Sequence, residues 1–342
     1  MSMVEMIRDS AGAVAPRGGD LSRIRALRFT RPGFDRAVWR QMAEMGWVGL
    51  RVAEDQGGTG LGMAEYCALA EELGRGLAPE PLVPGVFSAA LLAACGDAPG
   101  LEALLSGEAL PLTAWQERAD TLEAPGTPGA PRVFVPMAAG ATGFLLPVRE
   151  DGGLALQAAE ATPEIVETQD GGHYGTIAAQ GTRIGTLPAK ALDQALDEAA
   201  LATAAMLLGV MERSFGMTLD YLRTRQQFGK PIGSFQALQH RAVDLQIQVT
   251  LSRASVEAAA ATLDAGAAPA ARRAAVSRAK VRAAEASLLV TRAAVQLHGA
   301  IGYTDEYDVG LYLRKAMVLA NQFGSAALHR RRFMANAVDA DE

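Results

Sequence analysis

Apolar positions recur at helical spacing through residues 1 to about 108 of this 342-residue chain. In the segment Phe34–Met45, Val38, Met42 and Met45 fall at helical intervals and Gly46 closes it. Tyr66, Leu69, Ala70 and Leu73 repeat the pattern between Met63 and Leu73. The glycine run Glu54–Gly62 between them is neither a G-x-G-x-x-G nor a Walker sequence, and no strand–helix alternation surrounds it. It reads as a helix-to-helix connection. From 109 to 190 helical periodicity disappears. Short β-prone runs, Arg132–Pro136 and Phe144–Val148, lie between Gly, Pro and Asp clusters, which predicts a small antiparallel β domain. From 191 to 342 the helical period returns in four long segments. One of them carries Leu245, Val249, Ser252 and Val256 at steps of four, three and four, the stripe of a bundle helix. Asp264–Pro269 breaks the second segment from the third. The expected fold is mainly α with a central β domain, in three parts: 1–108, 109–190 and 191–342.

Composition narrows the function classes. About half the residues are apolar, enough for large cores, and the net charge of −6 argues against a general nucleic-acid binder. Cys67 and Cys95 are the only cysteines, too few for a zinc cage or a disulfide framework, and a reducing compartment fits. No cluster of Cys, His and carboxylates stands at ligand spacing, so no metal site is expected. The N-terminus lacks a basic region followed by an apolar core, and no run of about 18 apolar residues is seen. A cytoplasmic protein without membrane insertion is the expectation.

The chemistry gathers at the break between two alanine-rich segments. Arg223, Arg225 and Lys230 cluster there around two glycines and a proline, with Phe228 between them. Cations on a turn beside a helix start form an anion site, and an aromatic face suits a ligand larger than phosphate. A solvated basic turn is the plainer alternative. Arg225-x-x-Phe228-Gly229 followed by Ser234-Phe-Gln-Ala-Leu-Gln-His240 resembles the signature loop of the acyl-CoA dehydrogenase flavoproteins. Val295-Gln-Leu-His-Gly-Ala-Ile-Gly-Tyr-Thr-Asp-Glu-Tyr307 resembles the family's other signature, and Gly46-Trp-x-Gly-Leu50 with Glu71-Glu-Leu-Gly-Arg75 resembles its N-terminal helical domain.

The resemblance implies an N-terminal helical domain, a small β-barrel domain (here reduced) and a C-terminal four-helix bundle. It also implies FAD, with Arg225 at the pyrophosphate, Phe228 and Gln236 near the adenosine, and Gln296 with Gly299 at the second block. In this family the pocket is shared between subunits. Ala300 stands where glycine is usual, and the β segment that faces the isoalloxazine reads Leu112-Thr-Ala-Trp-Gln-Glu-Arg118, with no Trp-Ile-Thr after it. Trp115 is either a flavin-stacking residue or core.

Enzymes of the family remove the α-proton of an acyl-CoA with a carboxylate while the β-hydrogen leaves as hydride. Counting from the motifs places Phe323 and Ala199 at the two positions where the base is found. Glu198, next to Ala199, is the remaining candidate base; otherwise it is a solvated carboxylate in the first turn of its helix. Glu212 reads as a surface or interface residue, His240 and His298 as structural, and Arg330–Arg332 as a complement to a helix C-terminus. The resemblance therefore points to a base-lacking subunit of a heteromeric acyl-CoA dehydrogenase, partnered by a second subunit that supplies the Glu. An electron-transfer flavoprotein or similar acceptor would take the electrons. A self-sufficient homo-oligomer using Glu198, a flavin monooxygenase on the same fold and a non-catalytic structural subunit are the alternatives.

Overall fold

The computed structural model describes residues 2–16, 19–126 and 129–337. Among the described residues six α-helices come first: α1 (Met3–Ser10), α2 (Ser22–Leu27), α3 (Arg36–Glu44), α4 (Met63–Arg75), α5 (Leu82–Cys95) and α6 (Ala98–Leu105). Seven strands follow: β1 (Pro111–Thr113), β2 (Arg132–Pro136), β3 (Gly143–Glu150), β4 (Gly153–Ala159), β5 (Glu164–Glu167), β6 (His173–Ile177) and β7 (Thr182–Leu187). The last part holds α7 (Ala191–Thr224), the hairpin β8 (Gln226–Gln227) and β9 (Lys230–Pro231), α8 (Gln236–Asp264), α9 (Pro269–His298), α10 (Val309–Leu319) and α11 (Ala326–Asn336). These elements group into two compact units that are not contiguous in sequence: residues 22–66 with 79–200, and residues 1–21, 67–78 and 201–342.

In the unit of residues 22–66 and 79–200, α3 starts at Asp35, whose carboxylate accepts from the Ala37 amide. It buries Trp39, Met42 and Ala43; Val38 and Met45, expected on the same side as Met42, are only half-buried because the inward face centres on Trp39. The strands form a four-stranded sheet, β1-β3-β4-β7, and a three-stranded one, β2-β6-β5. Both predicted β runs are strands. All pairings are antiparallel except β1 with β3, which run parallel with Pro111 opposite Gly143 and Thr113 opposite Leu145. The expected antiparallel domain thus contains one parallel pair. The Glu54–Gly62 run makes a single 3₁₀ turn and folds back, the Gly60 amide donating to the Val52 carbonyl and the Leu61 amide to that of Leu50.

In the other unit, α7, α8 and α9 pack around Leu208, Met211, Phe215, Leu245, Val249 and Val290. The predicted stripe of α8 is buried throughout. The fourth bundle segment is two short helices, α10 and α11, split by a turn in which Phe323 and Gly324 have φ of 54° and 100°. Two glycines let α4 and α7 touch: a Cβ at Gly209 would lie 1.9 Å from the Glu71 carbonyl oxygen, and one at Gly74 2.2 Å from that of Met206. This approach assembles an ion network. The buried Glu71 accepts from Arg8 at 2.7 Å, Arg75 at 2.9 Å and Arg253 at 2.6 Å, and Glu212 accepts from Arg75 at 2.7 Å and Arg253 at 2.6 Å. Glu212, read from the sequence as a surface or interface residue, is half-buried and part of this network. Helix α7 contains an 18-residue window apolar enough to cross a membrane, which the sequence reading did not find; 94% of that window is buried in the protein.

Candidate functional site

The two signature blocks meet at one end of the bundle. Helix α7 ends at Thr224 and α9 at His298, while α8 begins at Gln236, so antiparallel packing brings these termini together. The Arg225 amide still donates to the Tyr221 carbonyl at 2.8 Å, and its carbonyl accepts from Ile232 at 2.8 Å, closing the β8–β9 hairpin. Phe228 at φ 54° and Gly229 at φ 75° make the hairpin turn. The Phe228 side chain is 90% exposed, with its ring edge-on to Phe235 at 6.1 Å. Lys230 Nζ sits 4.4 Å from the Phe235 ring centroid, a cation–π contact.

Tyr221 and His298 join the blocks. Their rings stack at 4.5 Å with 30° between planes, and Tyr307 closes on His298 at 4.8 Å. His298 Nδ1 lies 2.7 Å from the Ala294 carbonyl, so in the neutral ring it carries the proton and donates it there. Burial pushes this imidazole below its usual range, against the Ala294 carbonyl that favours protonation. Immediately after it, Gly299 adopts φ 65° and ψ −141°, a backbone open in practice to glycine alone.

Arg225, Phe228, Gln236, Gln296 and Gly299 are all exposed. The Arg225 guanidinium makes no hydrogen bond or ion pair among the described residues. An open guanidinium, an exposed aromatic face and two amides fit the pyrophosphate and adenosine end of FAD. Ala300 lies exposed in a 3₁₀ turn, Gly299–Tyr303, where its methyl group points into no packed core. His298 Nε2 is buried and has no hydrogen-bond partner among the described residues, an acceptor beside these groups.

The β sheets offer less to a flavin ring. Trp115 is 6% exposed, so it is core and not a stacking surface. Thr113 is engaged with Ser88: its amide donates to the Ser88 hydroxyl at 3.0 Å and the two hydroxyls lie 2.9 Å apart. The exposed aromatic of these strands is Phe134 on β2, at φ 58° and edge-on to Tyr174 at 5.9 Å.

Ala199 and Phe323, the two residues that motif counting singles out, are apolar and buried, at 2% and 6% exposure. Glu198 is neither solvated nor in the first turn, since α7 begins at Ala191. Its two oxygens accept from Arg51 Nη2 and Nε at 3.0 Å each, and Gln194 donates to it at 3.2 Å. Arg51 also donates to the Leu61 carbonyl at 2.6 Å. A carboxylate in this two-pronged pair is held as an ion-pair partner, each of its oxygens already accepting a guanidinium N–H. His240 lies exposed in α8. Arg330–Arg332 occupy the middle of α11 rather than its last turn, and Arg330 pairs with Glu285. Among the described residues no group of three or more His, Cys, Asp or Glu could hold a metal.

Arg51, Tyr221, Lys280 and His329 escaped sequence reasoning. For Lys280 a signal existed: it interrupts the apolar stripe of Val276, Ala283 and Ala284 on α9.

Comparison with known proteins gives the family. Residues 4–99 match the acyl-CoA dehydrogenase N-terminal domain and residues 189–338 the acyl-CoA dehydrogenase C-terminal domain. The chain is 32% identical to the acyl-CoA dehydrogenase IpdE2 of Mycolicibacterium smegmatis, over 97% of each chain. Among solved structures it resembles one chain of the ChsE4–ChsE5 complex of Mycobacterium tuberculosis, at a TM-score of 0.86 and 26% identity over 99% of this chain and 98% of that one. A variant of the Tcur3481–Tcur3483 steroid ACAD matches at a TM-score of 0.85 and 29% identity, over 97% of this chain and 96% of that one. The chain belongs to the acyl-CoA dehydrogenase family of flavoprotein oxidoreductases.

Proposed function

We propose that this chain is one subunit of a heteromeric FAD-dependent acyl-CoA dehydrogenase, contributing cofactor contacts while a second, homologous chain supplies the catalytic carboxylate. One observation carries the reading: the exposed Arg225–Gly229 hairpin and the exposed Gln296 and Gly299 are joined through the Tyr221–His298 stack, in a chain with Ala199 and Phe323 where motif counting expects the base. Arg225 would hold the pyrophosphate by its guanidinium, with Phe228 and Gln236 against the adenosine and Gln296 and Gly299 bordering the same region. Bound FAD supplies the hydride acceptor for α,β-dehydrogenation. The chain's own residues bind and orient it; the α-proton goes to the partner's carboxylate. The likeness to a two-protein complex and to a steroid ACAD favours an acyl-CoA ester of a steroid side chain, with electrons passed to an electron-transfer flavoprotein or similar acceptor.

The test is co-expression with a longer homologue that carries an intact Glu at the base position. Alone, the chain should show no acyl-CoA oxidation; with the partner, turnover should appear. Turnover by the lone chain would contradict the proposal.

A further inference from the structure

We infer that Lys280 is a positioning residue that fixes the turn between α10 and α11, and with it residue 323, by donating from α9 to three main-chain carbonyls. The side chain is fully buried, and its Nζ lies 3.2 Å from the Leu319 oxygen, 2.9 Å from that of Ala320 and 3.1 Å from that of Gly324. An ammonium has three N–H groups, and here each finds an acceptor. The cage has the form of a helix C-cap made by a side chain from a neighbouring helix: the last carbonyls of α10 need donors, and Lys280 brings them into a place water does not reach.

The same helix grips the turn a second time. His329 Nε2 donates to the Phe323 carbonyl at 2.8 Å, and its Nδ1 lies 3.2 Å from the Ser277 hydroxyl, three residues before Lys280 on α9. This matters because the turn is intrinsically unfavourable. Phe323 has φ 54°, costly for a residue with a Cβ, and a Cβ at Gly324 would come within 2.7 Å of His329 Nε2. A left-handed phenylalanine persists only where its surroundings over-determine it. Lys280 and the Ser277–His329 pair do so from both ends of the turn, at Leu319, Ala320, Phe323 and Gly324.

The frame that would aim a carboxylate at residue 323 is thus complete in a chain whose residue 323 cannot take a proton. It places the Phe323 ring at a fixed apolar position instead. The link from this frame to acyl-CoA rests on the proposed function; the grip on the turn does not.

The experiment has two arms. Hydrogen exchange on the lone chain compares wild type with Lys280→Met, which keeps the length and removes the donors. Amides 321–325 should exchange about ten-fold faster or more while α8 is unchanged, the mark of local opening. Unchanged turn amides, or a uniform rise across the bundle, would overturn the inference. Ser277→Ala, a milder lesion, should accelerate the same amides to a lesser degree, and keeps the test open if Lys280→Met does not fold. In the assembled flavoprotein, Lys280→Met should raise KM for the acyl-CoA about five-fold with kcat and flavin content little changed, because no reacting group is lost. An unchanged KM in a flavin-loaded complex would refute the link to substrate. Absence of any assembled, active complex would count against the proposed function and leave the exchange result standing.

Discussion

Replacing Glu198 by glutamine separates the two roles a carboxylate can have at the start of the bundle. In the structure both oxygens accept from Arg51 at 3.0 Å, and the two side chains are 11% and 18% exposed. Glutamine keeps the shape and one acceptor but leaves the guanidinium in a largely dry site without its counter-charge. Charge-assisted hydrogen bonds contribute about 1.5–3 kcal/mol each, and breaking a wholly buried pair costs about 3–5 kcal/mol. With one acceptor retained and some solvent access, the expected loss is about 2–3 kcal/mol. Chemical denaturation of Glu198→Gln, Arg51→Met and the double variant measures it. The double should lose less than the singles together, with a coupling of about 1 kcal/mol or more. With Glu198 an ion-pair partner and not the base, turnover of the assembled complex should survive Glu198→Gln within about three-fold. Intact stability together with abolished turnover would refute this reasoning and make Glu198 the base.

Two further outcomes follow from buried titratable groups. Against the cost of burial, hydrogen bonds and charge from Arg8 and Arg253 hold Glu71 at about 2 instead of 4.5. A depressed carboxyl stabilises the fold above its unfolded value, and that contribution, about 3 kcal/mol, is lost as pH falls from 4.5 toward 2. Glu71→Gln should therefore lower the urea midpoint at pH 7 and approach wild type only as pH falls to about 2; equal midpoints at pH 7 would count against the network. His173 is held at about 4, first by burial and then by the Arg31 charge, and its Nε2 accepts from the Ala139 amide at 2.9 Å. The unfolded chain takes up a proton that the folded one refuses between about 6.5 and 4, so stability falls as pH drops through that window. His173→Asn should flatten that slope in acid titrations of the urea midpoint; an identical slope would show that His173 does not set it.

Much of this architecture was legible in local patterns. The α8 stripe and the β runs at Arg132 and Phe144 follow from periodicity and turn residues. The parallel β1–β3 pair was not, because strand direction depends on chain path and not on residue type. The split of the last bundle segment escaped because its turn is held by Lys280, roughly forty residues earlier in the chain. The roles of Glu198 and Glu212 failed for the same reason: a carboxylate reads as solvated until its arginine, Arg51 or Arg253, is brought in from a distant segment. The motif blocks themselves were visible. What sequence could not show was Tyr221 stacked on His298, the contact that makes one site of two blocks.

The flavin content of the purified proteins tests the central claim most directly. Under the proposed function, FAD is held between this chain and a base-carrying partner. Absorbance and chain quantification of the co-purified complex should give about one FAD per two chains, with little flavin on this chain alone, as expected where unlike subunits complete one site. Arg225→Met should strip flavin from the complex without dissolving it. One FAD per chain in the protein expressed by itself, with acyl-CoA oxidation, would contradict the account.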